Sequence, residues 1–272
     1  MGKQPFRYLL GDHPSEALRL ERQARLWDPV AHAFFDRLRV KKDSKVLEIG
    51  PGRGSLHLEL RRRVSGPIDA VERSSVFASS LVRATRRDGW GEGRIWISDL
   101  ADADLPKNAY DLIFVRWVFL FLPNPEAHLR QLVRSLKPGG KIAVQDYHRE
   151  TLALIPKPLN WDEFVQADRA FFAAHGGNAS IGSELPKLFR KVGLVGIELK
   201  PHILAGHPGS TAWNWLTDYF NSVKKQYSNL SPLDQKKATA LFRDWKRLSK
   251  NSESLLIAPT LLDIVGTKRV RR

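Results

Sequence analysis

The residues best placed to do chemistry are carboxylates and glycines in a fixed order. Glu48 stands two positions before Gly50, and Gly50, Gly52 and Gly54 alternate with Pro51 and Arg53. Glycine has no Cβ, so its backbone can turn sharply and lie against a ligand. Val46-Leu47-Glu48-Ile49 reads as a short buried strand, and Leu56 opens a helical run through Leu60 and Val64. A strand, a glycine turn and a helix start with free N–H groups make a cradle of the kind that holds a nucleotide. Further on, Ile68-Asp69-Ala70-Val71-Glu72 reads as a second strand ending in an acid. In a parallel α/β unit an acid there hydrogen-bonds a ribose hydroxyl pair. Asp146 and His148 follow another apolar run, and a histidine titrates near neutrality, so these two are the candidates for a general base.

The elements that must position these groups alternate in type. Helical runs are expected over 55–64, 75–87, a stretch capped by Asn124-Pro125, 161–174, 184–192 and 210–227, with a further helix capped by Ser231-Pro232. Strands are expected at 94–98, 110–115, 141–145, 196–202 and 255–265. The near-continuous apolar run of 110–115 suits a parallel strand covered on both faces. The expected fold is α/β: a doubly wound, mostly parallel seven-stranded sheet with helical cap insertions, binding ligands at the carboxyl ends of its strands. Two helices are expected before it, one capped by Ser15 and one restarted at Asp28-Pro29. The expected organisation is a helical cap over 1–40, a core over 41–150, a cap insertion over 151–183, and the rest of the core over 184–272 with a helical insertion near 205–250.

With these motifs in place, the chain resembles the class I S-adenosylmethionine-dependent methyltransferases, whose fold is Rossmann-like. Glu48 through Gly54 matches their acid followed by Gly-x-Gly-x-Gly, a spacing distinct from the dinucleotide Gly-x-Gly-x-x-Gly. Glu72 matches the family's ribose-binding acid, and Asp99-Leu100 the pair that meets the adenine. Leu136-Lys137-Pro138-Gly139-Gly140-Lys141-Ile142 matches the turn before the fifth strand. The resemblance implies S-adenosyl-L-methionine as cofactor, held by Glu48, Gly50, Pro51, Gly52, Gly54, Glu72, Arg73, Asp99 and Leu100. Arg116, after the fourth strand, would face the methyl donor and lend backbone to the cofactor or charge to an anionic substrate. The lead-in segment, with Tyr8-Leu9-Leu10-Gly11 and a helical Gln23, resembles a subgroup of bacterial small-molecule methyltransferases in which that segment closes over the cofactor. Tyr8 and Gln23 are the candidate contacts there.

Composition narrows the rest. The chain has 272 residues and no cysteine, which excludes disulfides, thiol nucleophiles and Cys-ligated zinc. A catechol-type metal site would need paired acids at the ends of strands four and five, and only Asp146 is available, so no metal is expected. No run reaches the length of a membrane span and no signal peptide is evident, so a cytoplasmic protein is expected. The net charge is +15, with 12 Lys and Arg against 4 Asp and Glu from Asn221 onward. That excess keeps a nucleic-acid partner open. Three readings follow: a methyltransferase with a small-molecule acceptor, methylated on oxygen, nitrogen or carbon; an RNA-modifying methyltransferase; and a methyltransferase-like binding protein without turnover.

Overall fold

The structure, a computed structural model, describes the backbone of residues 14–87, 93–227 and 232–270, and the side chains of all of these but 14–18, 87 and 224–226. Tyr8 and Ser231 lie outside the described residues.

Apolar runs at the expected places form the strands of one large sheet. These are β1 (Val46–Ile49), β2 (Ile68–Val71), β3 (Ile95–Trp96), β4 (Tyr110–Arg116) and β5 (Leu136–His148). The helices between them are α2 (Ser55–Arg61), α3 (Ser75–Arg87) and α4 (Pro125–Ser135). Asn124 caps α4 as expected, its Oδ1 accepting from Ala127 N at 3.1 Å. After β5 come β6 (Ala153–Ile155), α5 (Trp161–Ala174), α6 (Ile181–Lys191), β7 (Leu194–His202), β8 (Ala205–Gly206), α7 (Thr211–Tyr227), α8 (Gln235–Leu248), β9 (Leu255–Ile257) and β10 (Thr260–Lys268).

The seven strands lie in the order β3-β2-β1-β4-β5-β10-β7. β1 to β5 pair in parallel, while β10 runs antiparallel between β5 and β7. The doubly wound, mostly parallel seven-stranded sheet read from the sequence is therefore present. Because β1 and β4 are adjacent while the chain leaves β1 toward β2, the sheet reverses direction of growth between them, and a crevice opens at their carboxyl ends.

Four local readings need correction. Two N-terminal helices were expected, broken at Asp28-Pro29, but a single helix α1 runs from Pro14 to Leu38 with Pro29 inside it. The proline lacks one N–H, yet the buried stripe of Trp27, Ala31, Phe34, Phe35 and Leu38 continues across it, and that packing keeps the helix whole. Asp28 caps nothing; its carboxylate accepts from Arg116 Nη2 at 2.7 Å. The last expected strand is two strands, because Pro259 offers no N–H to a ladder. β9 joins β6 and β8 in a separate three-stranded sheet. The α8 cap is Asp234, whose Oδ1 accepts from Lys237 N at 2.8 Å. Finally, only Ile95 and Trp96 of the third expected strand keep strand pairing, at the sheet edge.

Both sheet faces are covered. On one face α1 and α2 bury Phe34, Phe35, Leu56 and Leu60 against Val46, Phe114 and Ala143. The aromatics of α5 and α7, including Trp161, Phe164, Phe172, Trp213 and Phe220, are buried in the main core. Among the described residues no helix is long and apolar enough to cross a membrane.

Candidate active site

The glycine turn after β1 is built as its residue types require. Gly50, Gly52 and Gly54 have φ of +67°, +57° and +90°, a region that side chains with a Cβ rarely adopt. A Cβ on Gly50 would stand 2.5 Å from Val118 Cγ2, so glycine there also permits a close approach between the turn and the segment after β4. The turn is tied back to β2 at two points. Gly50 N donates to Val71 O at 2.8 Å, and Gly52 N donates to Glu72 Oε2 at 2.9 Å.

Glu72 also accepts from Ser74 N, through Oε1 at 2.8 Å. Burial pushes its pKa up, and the N–H groups of Ser74 and Gly52 and the nearby Arg73 charge oppose that rise. Arg73 stands 3.7 Å from Asp99, linking the ends of β2 and β3. Glu48 is buried, and its Oε2 meets His57 Nδ1 at 2.9 Å. The sequence reading missed His57; its signal was faint, a polar residue beside Leu56 and Leu60 on the buried side of a short helix.

These groups share one cleft of about 410 Å³ at the carboxyl ends of β1, β2 and β4. That volume lies within the usual range of small-molecule sites. Glu48, Gly50, Pro51, Gly52, Glu72, Arg73, Asp99, Leu100 and Arg116 all stand on its wall. Gly54 caps α2 just behind the turn, with Leu81 against it. Three carboxylates therefore face one crevice beside a glycine turn. Ser98 adds a buried hydroxyl on the wall with no partner among the described residues. An orphaned polar atom and a cradle that a Cβ would fill fit an adenosyl ligand with ribose hydroxyls and ring nitrogens.

From the other side, Leu20, Glu21 and Ala24 of α1 and Trp117, Val118, Phe121 and Leu122 after β4 complete the wall. Trp117 has φ +55°, an uncommon value for a bulky residue. Its ring stacks on Tyr147 at 5.5 Å between centroids, and Arg116 Cζ lies 4.1 Å from the Trp117 ring centre.

One expected cofactor contact, Gln23, and the two expected general-base candidates, Asp146 and His148, do not line the cleft. Gln23 does not reach the cleft wall; its Oε1 accepts from Arg19 Nη1 at 2.6 Å and Trp215 Nε1 at 3.4 Å, in the seam between α1 and α7. Asp146 is fully buried and is not on the cleft wall, accepting from Tyr147 N at 3.0 Å and Leu120 N at 3.2 Å. His148 ends β5 beside Thr260 and is not on the cleft wall either. Asp146 and His148 stand at positions i and i+2 of β5 and so share one face of the strand, and neither lines the cleft. Among the described residues no group of three or more His, Asp or Glu side chains could hold a metal.

Comparison with known proteins agrees with this geometry. Residues 47–144 match a family model described as a methyltransferase domain. The chain is 31% identical over 138 residues to the ubiquinone/menaquinone biosynthesis C-methyltransferase UbiE of Neisseria meningitidis, covering 50% of this chain and 52% of that one. It is 27% identical over 117 residues to phosphoethanolamine N-methyltransferase 1 of Triticum aestivum, covering 43% of this chain and 23% of that one. The chain thus spans about half, or less, of the length of these curated relatives. Among solved structures it resembles the YcgJ protein of Bacillus subtilis, with a TM-score of 0.61 at 18% identity, covering 88% of this chain and 97% of that one. The sheet order, the glycine turn with its acids, and the methyltransferase domain matched over residues 47–144 all agree with the class I S-adenosylmethionine-dependent methyltransferases that the sequence resembles.

Proposed function

We propose that the protein transfers a methyl group from S-adenosyl-L-methionine to a small-molecule acceptor, in the cytoplasm. The observation that carries this is the convergence of Gly50, Gly52, Glu72 and Asp99 on one cleft that continues to Trp117 and Phe121. In this reading Glu72 takes the ribose hydroxyls, Asp99 and Leu100 meet the adenine, and the glycine turn lies against the amino-acid end of the cofactor. The cofactor supplies a methyl group already activated by a sulfonium charge.

The chain's own residues then have three tasks. They orient the acceptor in line with the methyl group, hold it within reach, and keep water out. Trp117, Val118, Phe121 and Leu122 give the cleft an apolar wall suited to the last task. A base is needed only for an acceptor that must lose a proton first. That a small molecule is the acceptor is supported by the two relatives, whose names state C- and N-methylation in small-molecule metabolism.

Calorimetry with S-adenosylmethionine and S-adenosylhomocysteine tests the reading. Micromolar binding is expected, weakened at least tenfold by Glu72→Ala. If neither molecule binds the purified protein, the proposal fails.

A further inference from the structure

We propose that the acceptor is a planar molecule carrying an anionic oxygen, a carboxylate or phenolate, held by Trp27, Arg116, Trp117 and Tyr147. This rests on the methyl-transfer reading above and names the substrate class of the same site.

Among the described residues four buried donors in this corner have no acceptor: Trp27 Nε1, Arg116 Nη1, Trp117 Nε1 and the Tyr147 hydroxyl. Buried donors are nearly always answered, so a group of four calls for a reason. Trp27 is 0% and Tyr147 3% exposed. The four belong to one cluster. Tyr147 lies 5.8 Å from Trp27 and 5.5 Å from Trp117 between ring centres, and Arg116 covers the Trp117 ring. Arg116 and Trp117 are also on the wall of the cofactor cleft, so the cluster adjoins the place where a methyl group would be delivered. The left-handed backbone of Trp117 is independent evidence, because strain of this kind persists where the surroundings hold a residue for a purpose.

The sign of the ligand follows from what is already occupied. Asp28 is held by Arg116, Asp146 by two backbone N–H groups, and Asp168 by Arg149, Tyr219 and Tyr227. Glu21, on the cleft wall, pairs with Arg25 at 2.7 Å, so among the described residues no carboxylate of the corner is left to receive an ammonium ion. Gln145 Oε1, next to Arg116 in the sheet register, is an open acceptor but carries no charge. The ring faces that could attract a quaternary ammonium are approached by guanidinium groups, Arg116 at 4.1 Å from Trp117 and Arg149 at 4.5 Å from Tyr219. Donors without acceptors, between flat aromatic walls, match an oxygen-bearing planar ligand.

The test uses the full chain saturated with S-adenosylhomocysteine and two flat probes, 2-naphthoate and 2-naphthylmethylamine, in calorimetry. Naphthoate is expected to bind at least tenfold more tightly than the amine. Tyr147→Phe and Trp117→Phe, which keep a ring and delete a donor, should each weaken naphthoate about tenfold. Tyr147→Phe should leave the affinity for S-adenosylhomocysteine unchanged and its melting temperature unchanged or higher, since it removes an unanswered hydroxyl. Equal or tighter binding of the amine, no naphthoate binding, or naphthoate affinity unaffected by both substitutions overturns the proposal while the methyl-transfer reading stands. Failure of S-adenosylhomocysteine itself to bind overturns both.

Discussion

The guanidinium of Arg149 and the carboxylate of Asp168 form a two-pronged buried pair, Nε to Oδ2 at 2.7 Å and Nη2 to Oδ1 at 2.9 Å. Neither side chain is more than 7% exposed. Tyr219 and Tyr227 donate to the same Oδ1, at 2.5 and 2.8 Å. One carboxylate on α5 thereby joins the turn after β5 to α7, which in turn packs on α1. Helices α5 and α7 are pinned to the turn after β5 by this group and by the aromatic packing around it.

Removing that carboxylate leaves a cation and two hydroxyls buried without an acceptor. Asp168→Ala should therefore destabilise the protein by about 3–5 kcal/mol, read as a loss of roughly 10 °C in melting temperature. Asp168→Asn, which keeps one acceptor oxygen, should lose less. A shift under 2 °C for the alanine variant would show that packing alone holds the helices.

Gly50→Ala tests the turn. Its φ of +67° and the 2.5 Å approach to Val118 Cγ2 both oppose a methyl group. A loss of about 1–3 kcal/mol is expected, with S-adenosylhomocysteine affinity falling at least tenfold because the turn must shift. Gly50→Ala paired with Val118→Ala should recover part of the loss that comes from the clash and none of the part that comes from φ. Denaturant melts and calorimetry on the two variants separate these contributions.

The buried Asp146 gives a pH signature. Burial raises its pKa from 3.8 to about 7, against the opposing pull of backbone N–H groups at Tyr147, Leu120 and Phe119. A folded value above the unfolded one means the contribution is fully present below about pH 4 and lost as pH rises through about 7. A difference of about 3 corresponds to about 4 kcal/mol at most. Asp146→Asn cannot ionise and keeps one acceptor oxygen, so its stability should change less between pH 5 and pH 8 than that of the parent. Identical slopes in chemical melts across that range would show that Asp146 does not titrate there.

What was legible in the sequence and what was not divide along a physical line. Local pattern was enough for the strands and helices of the nucleotide-binding half. Val46–Ile49, Tyr110–Val115 and the glycines between β1 and α2 are dictated by burial on both faces and by backbone freedom, which are properties of short stretches. The acids that reach the cleft could be named for the same reason: Glu48 is next to last in β1, Glu72 and Asp99 follow β2 and β3, and the ends of parallel strands converge.

Only the folded chain decided how distant pieces share space. Pro29 read as a break because its missing N–H is a local fact, whereas the apolar stripe of Trp27, Ala31 and Phe34 that overrides it gains its energy from strands far along the chain. Asp28 read as a cap until Arg116, from β4, took its carboxylate. Gln23, Asp146 and His148 had the right chemistry and the wrong direction, since the face on which a side chain emerges depends on register and on the helix laid against it. The unanswered donors of Trp27, Arg116, Trp117 and Tyr147 were invisible beforehand, because a missing partner is a property of the packed interior and of no single stretch of sequence.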